Sequence, residues 1–315
     1  MEGEPVMKVL VTGGAGFIGS HIVDTLIQAN MQVTVLDNLS TGLRHHVNPG
    51  AWFFKKDIRD LDIKEWFVQE KFDYVVHQAA QTTVTHSLAN PFYDCDSNIF
   101  GLVNILEASR LSGVKRVVFA SSAAVYGDTE TLPIDEHCDK NPASFYGLSK
   151  LTGERYLEMY HQTFGLEYVA LRYANVYGDR QGDKGEGGVI SLFAQKMLSG
   201  KPLTVYGDGS QTRDFIYVKD VAAANCQALF SRAANRSFNV STATETSIQE
   251  LIRIFSQLID YSPAVGYVAQ RPNEIQRSVL NNQAAKKELQ WQPAYTVQTG
   301  LGLMLRNQQT RVSAS

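Results

Sequence analysis

Short runs of β-branched and other apolar residues recur through the first half of the chain, separated by stretches whose apolar positions fall three and four apart. Residues 9–12, 33–37, 52–55, 74–77, 117–121 and 168–172 read as strands buried on both faces. Between them Ile18, Ile22 and Leu26 recur at a helical interval, as do Ile99, Val103 and Leu106. Strands alternating with helices predict a parallel sheet covered on both faces, the doubly wound α/β (Rossmann-like) class. Ligands of such sheets bind beyond the carboxyl ends of the strands, so polar residues there carry functional weight.

Past Asn175 the pattern loosens. Residues 178–188 are rich in glycine and charge, a loop, and 189–199 read as a helix. Gly207-Asp208-Gly209-Ser210 predicts a tight turn between strands at 204–206 and 215–218. Helical patterns follow at 221–229 and 248–258, and the chain is expected back in the sheet near 237–240. The reading is a cofactor-binding domain over residues 1–175, rejoined at about 215–245, and a discontinuous substrate lobe within 176–315.

Composition narrows the class. Lys and Arg number 29 against 32 Asp and Glu, a net charge of −3, which argues against nucleic acid or an anionic membrane as partner. Three scattered cysteines, Cys95, Cys138 and Cys226, fit neither a disulfide framework nor a zinc site and predict a reducing compartment, the cytoplasm. The acidic stretch 1–6 does not read as a signal peptide, and no apolar run approaches the roughly 20 residues that span a bilayer.

Chemistry enters after the first strand. Thr12-Gly13-Gly14-Ala15-Gly16-Phe17-Ile18-Gly19 opens the first helix, where glycines let backbone approach a pyrophosphate and the helix N-terminus stabilises its charge. Asp37 ends the second strand, where a carboxylate accepts the hydroxyls of an adenosine ribose and repels a 2′-phosphate, favouring NAD over NADP. Asp57, after the third strand, is either an adenine contact or a solvated turn. Tyr146 and Lys150 stand four apart on a predicted helix, hence on one face. A free tyrosine has a pKa of about 10, and a neighbouring ammonium favours the phenolate, turning a phenol into a base for a hydroxyl proton. With 14 tyrosines in the chain the spacing alone is weak. Its weight comes from the glycine loop and acid that precede it.

Taken together, these segments resemble the extended short-chain dehydrogenase/reductase superfamily, and within it the NAD-dependent nucleotide-sugar epimerases. The resemblance runs from Lys8 to about Pro293. Asp37-Asn38-Leu39-Ser40-Thr41-Gly42 is similar to the epimerases' ribose segment. His77-Gln78-Ala79-Ala80-Gln81 and Asn98 match positions beside the cofactor, and Ile58 and Tyr173 join them. Ser121-Ser122-Ala123-Ala124-Val125-Tyr126-Gly127 matches the motif that carries the active-site hydroxyl, on Ser122, with Tyr146 and Lys150 as the catalytic pair. The resemblance further implies a UDP-sugar site formed by Ser122, Tyr146, Asn175, Gly188, Val189, Thr204, Tyr206, Arg213, Arg271 and Ser278, tightly bound NAD, and a homodimer through helices spanning 98–112 and 149–163. Ser278 matches a position whose size limits the sugar's C2 substituent.

One departure from related enzymes is chemical. Relatives that eliminate water carry acids directly after the hydroxyl, and here those positions are Ala123 and Ala124, which move no proton. Phe145 for proline, Lys56 for glycine and Leu102 for a small hydroxyl residue touch packing only. The expected reaction is reversible oxidation of a UDP-sugar at C4, with glucose/galactose as the first sugar pair. N-acetylated or uronic sugars, or a nucleotide-sugar reductase, are the alternatives. The intact Ser122, Tyr146 and Lys150 set argues against a silent NAD-binding regulator.

Overall fold

The computed structural model describes residues 6–182, 188–270 and 275–313. Its first half alternates as the pattern predicts: β1 (Lys8–Thr12), α1 (Phe17–Gln28), β2 (Gln32–Asp37), β3 (Trp52–Lys55), α2 (Ile63–Glu70) and β4 (Tyr74–His77). Two short helices, α3 (Val84–Ala89) and α4 (Pro91–Cys95), lead through a wide π turn at Asp96–Phe100 into α5 (Gly101–Ser112). β5 (Arg116–Ser122), α6 (Phe145–Phe164) and β6 (Glu167–Tyr173) complete the run. Beyond lie β7 (Asn175–Tyr177), α7 (Val189–Leu198), β8 (Leu203–Tyr206), β9 (Thr212–Arg213), β10 (Phe215–Tyr217), α8 (Val218–Phe230), β11 (Arg236–Val240), β12 (Thr246–Ser247), α9 (Ile248–Ile259), β13 (Val265–Val268), α10 (Gln283–Glu288) and α11 (Val297–Ser313).

Seven strands form a wholly parallel sheet in the order β11-β6-β5-β4-β1-β2-β3. The chain winds one way from β1 to β3 and the other way from β4, which opens a crevice between β1 and β4 at their carboxyl ends. The inner strands are apolar on both faces because both are covered; β3, expected to be buried, lies instead at the sheet edge with Trp52 64% exposed, because no strand pairs beyond it. Ile22, Val23 and Leu26 of α1 join Val221 and Ala224 of α8 on one side. Ile63 and Phe67 of α2 join Leu102, Ile105 and Leu106 of α5 on the other. A further core gathers Ile190 and Phe193 of α7, Leu203 and Val205 of β8, Leu251 and Phe255 of α9, and Leu301 of α11.

The structure refines two local readings and departs from a third. Ile99 and Val103 are only half-buried, because the wide turn rotates Asn98 inward and leaves Leu102, Ile105 and Leu106 as the core face of α5. The turn expected at Gly207–Ser210 is present, and the strands on either side of it find other partners: β8 pairs in parallel with β13, and β10 pairs in parallel with β7. Val218 opens α8 instead of closing a strand. Among the described residues no helix is long and apolar enough to cross a membrane.

Candidate active site

The crevice is a cavity of about 710 Å³ over the carboxyl ends of the sheet. Its floor is the turn from β1 into α1. Gly13 sits at φ +69, where an added Cβ would lie 2.7 Å from the Ala79 backbone nitrogen, and a Cβ on Gly19 would lie 2.2 Å from the Gly13 carbonyl oxygen. The glycines thus let β1, α1 and the end of β4 meet backbone to backbone. Gly16 caps α1 in extended conformation and has no side chain to satisfy the first N–H groups. Those donors, at Phe17, Ile18 and Gly19, face the cavity as an anion cradle.

Asp37 is buried at the end of β2, its Oδ2 accepting from Ala15 N (2.9 Å) and its Oδ1 from Leu39 N (2.8 Å). Burial raises its pKa, and the two backbone donors oppose that shift. Gly42 lies just behind the cavity wall: a Cβ there would sit 3.0 Å from Asp37 Oδ1. Asn38, Ser40 and Thr41 line the wall, and Asn38 Nδ2 donates to Asp57 Oδ2 (2.8 Å). Asp57 and Ile58 line it too, so Asp57 is more than a solvated turn. Arg59 donates to both oxygens of Asp57, and chiefly for that reason its carboxyl stays well below the usual carboxylate range. Cradle, carboxylate and adenine-side wall fit a dinucleotide such as NAD.

At the end of β4, Gln78, Ala79, Ala80 and Gln81 enter the cavity. Gln78 Nε2 donates to Tyr173 Oη (3.0 Å), which also accepts from Asn225 Nδ2 (2.8 Å). Asn98 is not in the wall. It is buried behind it, accepting from Gln81 N (2.7 Å) and donating to Gln81 O (2.9 Å), so it shapes the loop. His77, under the same strand end, bonds to Thr12 Oγ1 (2.9 Å) and stacks on Phe119. Burial pushes its pKa down to about 3, so it stays neutral and structural.

The predicted catalytic group converges across this crevice. Ser144 caps α6 by accepting from Gly147 N (3.1 Å), placing Tyr146 in the first turn and Lys150 one turn on. Lys150 is 4% exposed, its Nζ 5.9 Å from the centre of the Tyr146 ring and 5.0 Å from that of Phe119. Desolvation lowers its pKa to about 8, against the raising influence of Asp94. Ser122 ends β5 and accepts from Ala124 N (3.1 Å). A Cβ at Gly147 would meet the Ala124 oxygen at 2.5 Å, so glycine there is what lets the start of α6 press against the Ser122 loop. Ser122, Tyr146 and Lys150 all line the cavity.

The far wall comes from the second half of the chain. Asn175, Gly188, Arg213 and Ser278 line it. Asn175 N donates to Asp214 O (2.9 Å), which ties the start of β7 to the strand after Arg213. Val189, half-buried in α7, and Thr204 and Tyr206, exposed on β8, lie outside the lining, and Arg271 lies outside the described residues. The threonines Thr82, Thr83 and Thr85 also line the cavity. Nothing in their spacing separates them from an ordinary polar loop.

The chain was compared with known proteins. The sequence model of the NAD dependent epimerase/dehydratase family matches residues 9–241. A Methanocaldococcus jannaschii protein, whose own naming as a UDP-glucose 4-epimerase is provisional, is 48% identical over 294 residues, covering 93% of this chain and 95% of that protein. The crystal structure of UDP-glucose 4-epimerase with UDP-glucose from Thermotoga maritima superimposes with a TM-score of 0.94 at 38% identity, over 97% of this chain and 100% of that one. A UDP-N-acetylglucosamine 4-epimerase from Methanobrevibacter ruminantium, in complex with UDP-N-acetylmuramic acid, gives 0.92 at 35% identity, over 97% and 99%. With a family match over well more than half its length and relatives of this identity along nearly all of it, the protein belongs to the NAD dependent epimerase/dehydratase family.

Proposed function

We propose that this enzyme is a UDP-glucose 4-epimerase, interconverting UDP-glucose and UDP-galactose through a transient 4-keto sugar. The observation that carries the reading is the meeting of Ser122, Tyr146 and Lys150 on one side of the cavity, with Ala123 and Ala124 beside them offering no second acid or base. NAD, when bound, would supply the hydride acceptor and then donor for C4 of the sugar. Tyr146 takes the proton of the 4-hydroxyl and returns it, while the Lys150 ammonium favours the phenolate form. Ser122 hydrogen-bonds the sugar's O4. Arg213, with Asn175 nearby and Arg271 by resemblance, holds the diphosphate, for which the guanidinium fork is suited. Holding the remote diphosphate keeps the keto sugar in the site while its ring turns to present the other face.

The test is to incubate the purified protein, with no added cofactor, with UDP-galactose, UDP-N-acetylgalactosamine and UDP-galacturonate in separate reactions, and to follow the anomeric proton signals. Conversion of UDP-galactose to UDP-glucose is expected. Turnover of none of the three would sink the epimerase reading.

A second reading, epimerisation of N-acetylated sugars, is supported by the small, half-buried Ser278 in the cavity wall and by the likeness to an N-acetylglucosamine epimerase. A bulky side chain at this point clashes with a C2 substituent. Ser278→Tyr is therefore expected to cut turnover of UDP-N-acetylgalactosamine by about 10-fold or more while changing that of UDP-galactose by less than about 3-fold. Equal losses on both sugars would remove Ser278 from the C2 pocket.

Phe92, Phe100, Leu148 and Met159 leave apolar surface exposed on α4, the wide turn and α6, which supports the homodimer that the resemblance implies. Light scattering checks it, and a monomer at micromolar concentration rejects it. The three unpaired cysteines support a cytoplasmic setting.

A further inference from the structure

One turn beyond Lys150, on the same side of α6, stands Glu154, 6% exposed and outside the cavity lining. Its Oε1 accepts from Ser121 Oγ (2.5 Å) and from Arg172 Nε (2.9 Å). Its Oε2 accepts from Arg172 Nη2 (2.6 Å) and Ser237 Oγ (3.1 Å). A single carboxylate on the catalytic helix therefore grips three adjacent strands, β5, β6 and β11.

The grip reaches the cavity wall, since Ser121 itself lines it. Ser121 and Arg172 are register partners in the sheet, and so are the next residues, Ser122 and Tyr173, which both line the cavity. Arg172 extends the network on its other side, Nη1 donating to Tyr126 Oη (2.8 Å), which in turn donates to Asn239 Oδ1 (2.7 Å). Asn239 Nδ2 donates to Ile134 O (3.0 Å), and Ile134 bridges to Leu280, two residues from Ser278.

Two features make stability a poor explanation for this arrangement. A buried ion pair commonly contributes little net stability, because desolvation offsets the attraction, and an apolar pair of similar volume often serves as well. The helix also approaches its neighbours closely through two glycines: Gly147 meets the Ala124 carbonyl in the turn after β5 and Gly153 meets Phe119 of β5, each so closely that a Cβ would lie within 2.7 Å. Such contacts set the distance between helix and strand. Directional hydrogen bonds from Glu154 add a constraint along the helix axis.

We propose that Glu154 is a positioning residue for the reaction: by bonding to Ser121 and Arg172 it sets the axial register of α6 against β5 and β6 and so holds Tyr146 opposite Ser122. The proposal rests on the epimerase reading. Misplacing a reacting group by about 1 Å costs on the order of 100-fold in rate.

The test compares the wild type with Ser121→Ala and with the double variant Glu154→Leu/Arg172→Met. For each, kcat, KM, melting temperature, bound NAD and amide exchange across residues 145–150 are measured. The double variant is expected to fold with a melting temperature near that of the wild type and to retain NAD. Its kcat should fall by about 30-fold or more with KM within about 3-fold, and exchange in 145–150 should quicken. Ser121→Ala, which removes one bond only, should lower kcat by about 3- to 10-fold at unchanged stability. A folded double variant with full kcat overturns the proposal. If the double variant does not fold, unchanged kcat in Ser121→Ala does so. Wild-type protein that turns over no UDP-sugar would reject the epimerase reading instead, and unaltered exchange in the variants would then reject the positioning role on its own.

Discussion

Tyr146→Phe should retain its NAD and its fold yet lose about 100- to 10,000-fold in kcat on UDP-galactose, the usual contribution of a positioned general base. The substitution removes one oxygen from a half-buried ring in the first turn of α6 and leaves the Ser144 cap untouched. Lys150 stays buried beside the ring, so charge and packing are preserved while the proton acceptor is lost. KM should change by far less than kcat, because the diphosphate contacts we propose for Arg213 lie elsewhere in the cavity wall. A loss of less than about 10-fold would mean that another group takes the hydroxyl proton. The neighbouring tyrosines are poor substitutes. Burial raises the pKa of Tyr126 and of Tyr173 well above that of a free phenol, and Tyr126 is already committed to Asn239.

Gly13→Ala is expected to have the largest effect on the cofactor. Gly13 adopts φ +69, and its Cβ would meet Ala79 N at 2.7 Å, Ala79 Cα at 2.9 Å and Gln78 C at 3.0 Å. All three are backbone atoms of the neighbouring β4 end, so no side chain can swing aside. Left-handed backbone strain alone costs on the order of 1–3 kcal/mol, and the clash must also part β1 from β4 at the crevice. The variant should therefore purify without nucleotide, melt below the wild type and show no turnover unless NAD is added in excess. Full NAD occupancy after purification would contradict this account of the loop.

Much of the architecture was legible from periodicity. The six apolar runs of the first half are β1 to β6 within a residue or so at each end, although β3 is an exposed edge strand and not a buried one, and the late return near 237–240 is β11 beside β6. These elements were readable because strand burial on two faces is written locally, as unbroken apolar runs. Elements whose form depends on distant contacts were not. The strands around Gly207–Ser210 are separated because β8 finds β13, some sixty residues on, and that pairing leaves no trace in local spacing. The helical interval of Ile99, Val103 and Leu106 does not say which face is buried. The wide turn decides it by rotating Asn98 toward the Gln81 loop.

The site divides in the same way. Motif order in the sequence alone determined the fold class, the phosphate loop, the acid after β2 and the candidate Ser122, Tyr146 and Lys150, because close backbone approach demands glycine and proton transfer demands particular side chains. Only the tertiary structure decided how those residues stand to one another. It brought Ser122 at a strand end against the first turn of α6 through Gly147, left Asn98 behind the wall and put Thr204 and Tyr206 outside the cavity lining. It also gathered Ser121, Arg172 and Ser237 around Glu154, residues up to 116 positions apart in the chain. Sequence spacing records which neighbours share a helix turn or a strand face. Which strand lies beside which, and how far a helix slides along it, is set by packing across the whole sheet.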